Sequence, residues 1–286
     1  MYRINSLGAS WAASLFIGGG LRACRQYYLR GKSMRVCMFI DGENFRHSIV
    51  ELFPPPQFYQ ADYLPKQADW NGLFDWIVAS ATDGGERIRT YWYVIEYMDF
   101  YPFKLPEPTT LATRSQLKNI LCKHPPYEKE LNALVEAACN ARMAEITKEL
   151  HLRQVTMQNR FSGWIAVQDG ISLKSKSVEF RRAGAMSCVL FDNTLGREKA
   201  VDVKLASDMI VLKDIYDTAI IVSGDQDYVP AVEVVKDFGK RVINVAFTTR
   251  GGQLLPGGAR RLNHKTDWRC NIPYDQLAQH LHIKIS

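Results

Sequence analysis

The sequence predicts an α/β fold: a three-layer α/β/α sandwich with a mainly parallel central sheet and a helical insertion. Three observations carry this. Short apolar runs end abruptly in turn residues, stretches with helical spacing separate them, and a long tract rich in Ala, Glu, Leu and Lys interrupts the alternation.

Residues 1–33 contain five basic side chains (Arg3, Arg22, Arg25, Arg30, Lys32) and no acid. The apolar stretch from Leu7 to Leu21 is short for a membrane span, and most of the basic residues follow it, an order that fits a signal peptide poorly. The tract reads either as an N-terminal tail or as an upstream read-in ahead of Met34. The folded domain is expected over 34–270, with 271–286 a C-terminal extension and no stable membrane span.

Its first strand is Arg35 to Ile40, short and apolar, stopped by Asp41-Gly42-Glu43-Asn44. A polar loop and helix follow, then a Pro-rich connection at Pro54 to Pro56. Trp70, Leu73, Phe74 and Ile77 have helical spacing, and Gly84-Gly85 leads into a second strand, Ile88 to Ile95. Alternation within that strand puts half of Tyr91-Trp92-Tyr93 into the core, so these aromatics, with Tyr97 and Phe100, read as sheet packing rather than a base-stacking platform.

From about 101 to 170 the rhythm breaks. A loop with Pro102, Pro106 and Pro108 precedes Pro125-Pro126, after which Tyr127 to Gln154 contains neither Pro nor Gly. One long helix or a helical pair is expected there, an insertion covering one side of the domain, with dimerisation to a second copy or a grip on substrate as further uses. The alternation then resumes: strands at Val178 to Phe180 and Ser187 to Phe191, a helix from Glu198 to Tyr216, the strand Thr218 to Ser223, a helix from Val229 to Phe238 closed by Gly239, and the strand Arg241 to Phe247. Strands separated by helices make a parallel sheet covered on both faces.

In such a sheet ligands bind beyond the carboxyl ends of the strands. Asp41 is the first residue after one strand; Asp225 and Asp227 follow another. Carboxylates brought together repel one another unless they share protons or bind a cation, so the arrangement points to a hard divalent ion, Mg²⁺ or Mn²⁺. On the helix from Glu198, Val201, Leu205, Met209 and Leu212 form the apolar stripe. Asp202 flanks it near the N-terminus and completes the set, while Asp208, on the opposite flank, reads as a solvated or capping residue. Each strand-end Asp also has a plainer reading, as a turn former or helix N-cap. The tight turn Ser223-Gly224 adds a hydroxyl placed to support a ligand.

The motifs FIDGENF (Phe39 to Phe45), KAVDVKLASDM (Lys199 to Met209) and IIVSGDQDYVPAVEVVKDFGKRVINVAF (Ile220 to Phe247) resemble NYN domains of the PIN-like nuclease superfamily, the LabA/DUF88 branch in particular. The resemblance runs from Met34 to about Trp268 and is weaker over 101–170. It implies a PIN-like fold and a metal-dependent ribonuclease site with Asp41, Asp202, Asp225 and Asp227 as catalytic metal ligands. Asn44 matches the family's Asn after the first strand.

Substrate contacts are expected from Lys199, Arg250 and Ser223, with Arg181, Arg182, Arg197 and Lys204 flanking the acids. Tyr228 reads as packed beneath the helix it opens, with base stacking the alternative. The partner expected is single-stranded RNA. Composition adds a limit: of 36 basic residues five fall within 1–33, leaving 31 against 30 acids, so attraction for nucleic acid must come from local patches. The six cysteines form no CxxC pair and the six histidines no spaced set, so neither a zinc site nor a disulfide framework is indicated, and a reducing, cytoplasmic compartment is expected. Gly251-Gly252 and Gly257-Gly258 lack the spacing of a dinucleotide or P-loop fingerprint, so no nucleotide cofactor is expected. A non-catalytic RNA- or protein-binding regulatory module is the alternative. A phosphatase is weaker, because Asp41-Gly42-Glu43 lacks the second Asp of the usual phosphatase loop.

Overall fold

The computed structural model describes residues 33–54, 63–65, 68–175 and 177–283. Both readings of the N-terminal tract lie outside these residues, as does most of the Pro-rich connection. The fold is the mainly parallel α/β sandwich the sequence predicts.

At its centre is β1 (Met34–Asp41), whose last six residues are all buried. A strand buried on both faces has no polar alternation, and this one is flanked in parallel by β2 (Gly85–Tyr101) and β5 (Thr218–Val222). Outward from β2 come β3 (Val178–Val189), parallel, and β4 (Thr194–Lys199), antiparallel at the edge. Outward from β5 comes β6 (Arg241–Thr248), which carries the two-residue β7 (Leu254–Leu255) and, in parallel, β8 (Trp268–Pro273). The chain therefore leaves β1 toward β2 and β3, and returns on the other side of it as β5 and β6. The point where strand order reverses lies between β1 and β5, and a crevice opens there at the carboxyl ends.

The helices are α1 (Gly42–Leu52), α2 (Trp70–Ala81), α3 (Leu111–Leu121), α4 (Pro125–Asn132), α5 (Glu136–Lys174), α6 (Val201–Val211), α7 (Val229–Asp237), α8 (Ala259–Asn263) and α9 (Tyr274–His280). Two adjacent β2 residues show that they cover both faces. Trp92 packs against Phe45 of α1 at 5.1 Å and against Trp70 and Phe74 of α2 at 5.2 and 5.7 Å. Tyr93, which points to the opposite face, gives its hydroxyl to Asp208 of α6. The Trp92 cluster is part of the core that fixes α1, each aromatic pair adding about 0.5–1.5 kcal/mol beyond its buried area.

Several boundaries differ from the sequence reading. The segments at 178–180 and 187–191 belong chiefly to one continuous strand, β3, which turns at Asn193, in the left-handed region, into the hairpin partner β4. Glu198 and Lys199 pair with Met186 and Ala185 in that hairpin, so they are not helical. The helix begins only at Val201, after Ala200 at φ 72°. Between 101 and 174 there are three helices. α3, unforeseen among the prolines, starts at the Thr110 capping box, and α5 runs 39 residues through Gly163 and Gly170. Its buried side chains Cys139, Met143, Ile146 and Leu150, and after a two-turn step Met157, Phe161, Trp164, Gln168 and Ile171, are spaced by three or four positions within each set. Arg153 on the same helix donates to the carbonyls of Leu190 and Phe191, tying it to the end of the sheet. The boundary drawn at residue 270 falls inside β8, and α9 beyond it buries Leu277 and Ala278. Cys37, Cys122, Cys139, Cys188 and Cys270 are free thiols. Among the described residues no helix is long and apolar enough to cross a membrane.

Candidate active site: a carboxylate cleft at the strand-order reversal

Asp41 ends β1 and caps α1 in the same stroke. Its Oδ1 accepts the backbone N–H of Asn44 at 3.1 Å, the N-cap role that a strand-end Asp commonly has. Its Oδ2 does something else. It accepts Ser223 Oγ at 2.9 Å, the Tyr228 hydroxyl at 3.1 Å and Asn44 Nδ2, and the whole side chain is buried. Exposed helix caps are not enclosed in this way. Gly42 is required beside it, because a Cβ there would stand 2.2 Å from the Tyr93 carbonyl oxygen.

Across the crevice, Ser223 follows β5 and turns the chain outward. Its Oγ donates to Asp41 and accepts the Asp225 N–H at 3.0 Å, and Asp225 in turn accepts the Asp227 N–H at 2.9 Å. Ser223, expected at the substrate, is fully buried, and its hydroxyl joins Asp41 to the Asp225 loop. Tyr228, the last residue of this turn, is the piece the sequence undervalued. Its ring is indeed buried, but its hydroxyl lies 3.1 Å from Asp41 Oδ2 and 2.9 Å from Asp202 Oδ1. A phenol has one proton to donate. Two short carboxylate contacts therefore require either a proton on one carboxyl or a cation nearby.

The electrostatics agree. Burial, with the Asp202 charge adding to it, pushes the Asp41 carboxyl up to about 6, against the opposing hydrogen bonds of Asn44 and Ser223. Burial raises Asp202 as well, helped by Asp225 and Asp227 and opposed by Tyr228. Among the carboxyls the largest disturbance falls on Glu198, the half-buried penultimate residue of β4. Burial and the charges of Asp41, Glu43 and Asp202 push it up to about 9, and its Oε2 is buried with no hydrogen-bond partner. Glu43 runs the other way. Burial works to raise it, but His47 and Arg46 outweigh that and hold it down at about 2.

These groups line a cleft of about 700 Å³ whose walls include Glu43, Asn44, Arg197, Glu198, Asp202, Asp225 and Asp227, with Asp41 beneath. The structure thus gathers Asp41, Asp202, Asp225, Asp227 and Asn44, and adds Glu198 and Tyr228. It does not gather the others. Lys199, last in β4, is exposed and lines no part of this cleft. Arg250 lies over the Tyr274 ring at 4.7 Å, in a separate hollow. Asp208 is neither solvated nor a cap. It is buried, held low despite its burial by Arg181, Lys204 and Tyr93, and forms a structural ion pair on the far flank of α6. Arg181, Arg182 and Lys204 are correspondingly engaged, Arg182 with Asp169. Of the expected flanking cations only Arg197 lines the cleft.

An all-oxygen set in which Asp41, Asp202 and Glu198 are raised, the last with an unpartnered buried oxygen, suits a hard divalent cation in donor chemistry. Among the described residues no three Asp, Glu, His or Cys side chains stand at caging distance, so holding an ion would require the donors to draw together.

Residues 122–255 match the family model of the NYN domain, which supports a place for the chain in the NYN/PIN-like superfamily and, at that coarse level, among nucleases. The matched segment contains Glu198, Asp202, Asp225 and Asp227, while β1 with Asp41 lies ahead of it. No curated protein matches the chain. A crystal structure of a protein of unknown function from Vibrio parahaemolyticus is similar over 85% of this chain and 94% of its own, with 14% identity and a TM-score of 0.39.

Proposed function

We propose that the cleft is a metal-dependent ribonuclease site that hydrolyses phosphodiester bonds of single-stranded RNA, in a chain of the LabA/DUF88 branch. The observation that carries this is the convergence of Asp41 and Asp202 on one Tyr228 hydroxyl, in a cleft also lined by Asp225, Asp227 and Glu198. A purely structural role would favour neutralising such a cluster with Lys or Arg, as happens at Asp208.

Asp41, Asp202, Asp225 and Asp227, with Glu198, are the groups that would hold Mg²⁺ or Mn²⁺. The chemistry such an ion supplies is activation of water and neutralisation of charge on the phosphate. The rest falls to the chain. Ser223 and the Asn44 backbone lock the Asp41 carboxylate in place, and Tyr228 couples it to Asp202. Asn44 commits one amide hydrogen to Asp41 and keeps a second for the cleft it lines. Arg197, at the cleft wall, offers a guanidinium to phosphate.

Cleavage of labelled single-stranded and hairpin RNA tests this, with Mg²⁺, Mn²⁺ or EDTA, for wild type, Asp41→Asn and Asp225→Asn. Ion-dependent cleavage lost in both variants is the expected result. Equal activity in all three proteins, or activity persisting in EDTA, refutes it. RNA binding without cleavage transfers support to the regulatory-module reading.

A further inference from the structure

A second cleft, of about 740 Å³, adjoins the first and shares Asn44 and Asp225 with it. Its lining differs in kind. Arg260 and Arg261 project from α8, facing Gln226 and Gln253, and Asp225 is the only acid. Arg261 Nη1 donates to Gln226 Oε1 at 2.9 Å, a neutral partner that orients the guanidinium without cancelling its charge. Among the described residues Arg260 has no carboxylate within ion-pair distance, and it is exposed. Among the described residues no aromatic side chain lines this cleft, which presents charge and amide donors.

The relative position of the two clefts is fixed by backbone packing. A Cβ on Gly224 would stand 2.2 Å from the Gly257 carbonyl oxygen, and one on Gly258, at φ 89°, would stand 2.4 Å from that of Gly224. The turn leading to Asp225 and Asp227 and the segment leading to Arg260 thus touch main chain to main chain. Ala259 and Leu262 are buried on the inner side of α8 and leave the two arginines on the outer.

We propose that the two clefts form one track for a single strand of RNA, which Arg260 and Arg261 grip by its phosphates on one side of the carboxylates and Arg197 on the other. This rests on the nucleic-acid reading of the acid site and deepens it. Positive charge flanks a negative centre, so the strand is held on both sides of the bond to be cut. Contacts to phosphate without base stacking make the Arg260 side indifferent to sequence.

The test separates the track from the chemistry. Binding of a fluorescent oligouridine of about twelve nucleotides is measured by anisotropy in EDTA over a series of salt concentrations. The proteins are wild type, Arg260→Ala/Arg261→Ala, Arg197→Ala, and Lys148→Ala as a surface control lining neither cleft. The double variant is expected to bind more than tenfold more weakly, and the slope of log affinity against log salt is expected to fall by about 0.7 for each arginine lost. Arg197→Ala should lose a comparable single increment, Lys148→Ala none, and Arg260→Lys/Arg261→Lys should restore the slope. Wild-type affinity and slope in the double variant, or an equal loss in Lys148→Ala, overturns the track even if the protein cuts RNA. The expected losses without any ion-dependent cleavage uphold the track and overturn the ribonuclease reading.

Discussion

Replacing Glu198 with Gln should make the ion-free protein more stable, by an amount that grows with pH. The carboxyl sits among Asp41, Glu43 and Asp202 with Oε2 unpartnered, and is raised from 4.5 to about 9. An acid whose folded value is raised holds its proton more tightly when folded. Its favourable contribution is therefore complete below 4.5 and is lost as pH rises toward 9. Each pH unit in that window removes about 1.4 kcal/mol, or roughly 3 kcal/mol by neutral pH. The side chain is only half-buried and its cleft is open, so water and small rearrangements should leave about 1–2 kcal/mol of that. For a domain of this size that is a gain in Tm of about 3–6 °C. Glutamine has the same shape and no charge to lose, so the gain should appear near neutral pH and nearly vanish near pH 5. Thermal unfolding of both proteins in EDTA at the two pH values reads it directly. Adding Mn²⁺ should raise the wild type more than the variant and narrow the gap. A Glu198→Gln protein less stable than wild type at neutral pH, or a gap that does not change with pH, would refute the reasoning.

The other predictions concern the remaining groups of the cleft and its flank. Tyr228→Phe keeps the buried ring but uncouples Asp41 from Asp202; ion-dependent cleavage should fall at least tenfold while the circular dichroism spectrum is unchanged, and full activity would remove Tyr228 from the site. The carboxylates have to be ionised to take up a cation, and Asp41 ionises at about 6, so cleavage should rise as pH increases through that value. A rate profile flat from pH 5 to 7 contradicts this assignment. Asp208→Asn breaks the pair with Arg181 and Lys204 and should cost about 3 kcal/mol of stability, seen in denaturant unfolding, because it strands a partly buried cation. Its activity per folded molecule should match wild type, whereas Asp202→Asn, one and a half turns away, should abolish activity with little loss of stability.

The sequence shows most clearly what burial writes into it. β1, β5 and β6 are read correctly because two covered faces demand continuous apolar runs, and the acids at their ends follow from the connection alone. β4 is exposed at five of its six positions and leaves no such trace. Glu198, Lys199 and Ala200 are good helix formers beside a real helix, and propensity assigns them to it. Hairpin pairing with β3 overrides that preference, and the left-handed turn at Ala200, which no local residue type announces, marks the change. That one misplaced boundary concealed the most perturbed carboxyl in the site and set Lys199, which lies on the exposed edge strand, on the helix of Asp202. Asp202 and Asp208 show the opposite limit. A helix-face argument separates their flanks correctly, but only the tertiary partners show that one is left without a cation and the other is given two.

The plain and the functional readings of Asp41 are both true, and their coexistence explains how the site is held. Capping commits Oδ1 to the start of α1, so the position of the carboxylate is set by the junction of the central strand with its helix rather than by a mobile loop. Asp225 repeats the arrangement at the end of the neighbouring strand, capping the turn that carries Asp227 and Tyr228. Two caps on adjacent parallel strands, joined through Ser223, bring two acids to the strand-order reversal without a covalent or metal tether. Such pre-positioning has a cost, visible as raised carboxyls and an orphaned oxygen, which a surface cap does not bear. Caps alone can be had without burying Asp41 or placing Glu198 and Asp202 against it. On the proposed function, a bound cation would relieve the raised carboxyls and the orphaned oxygen together.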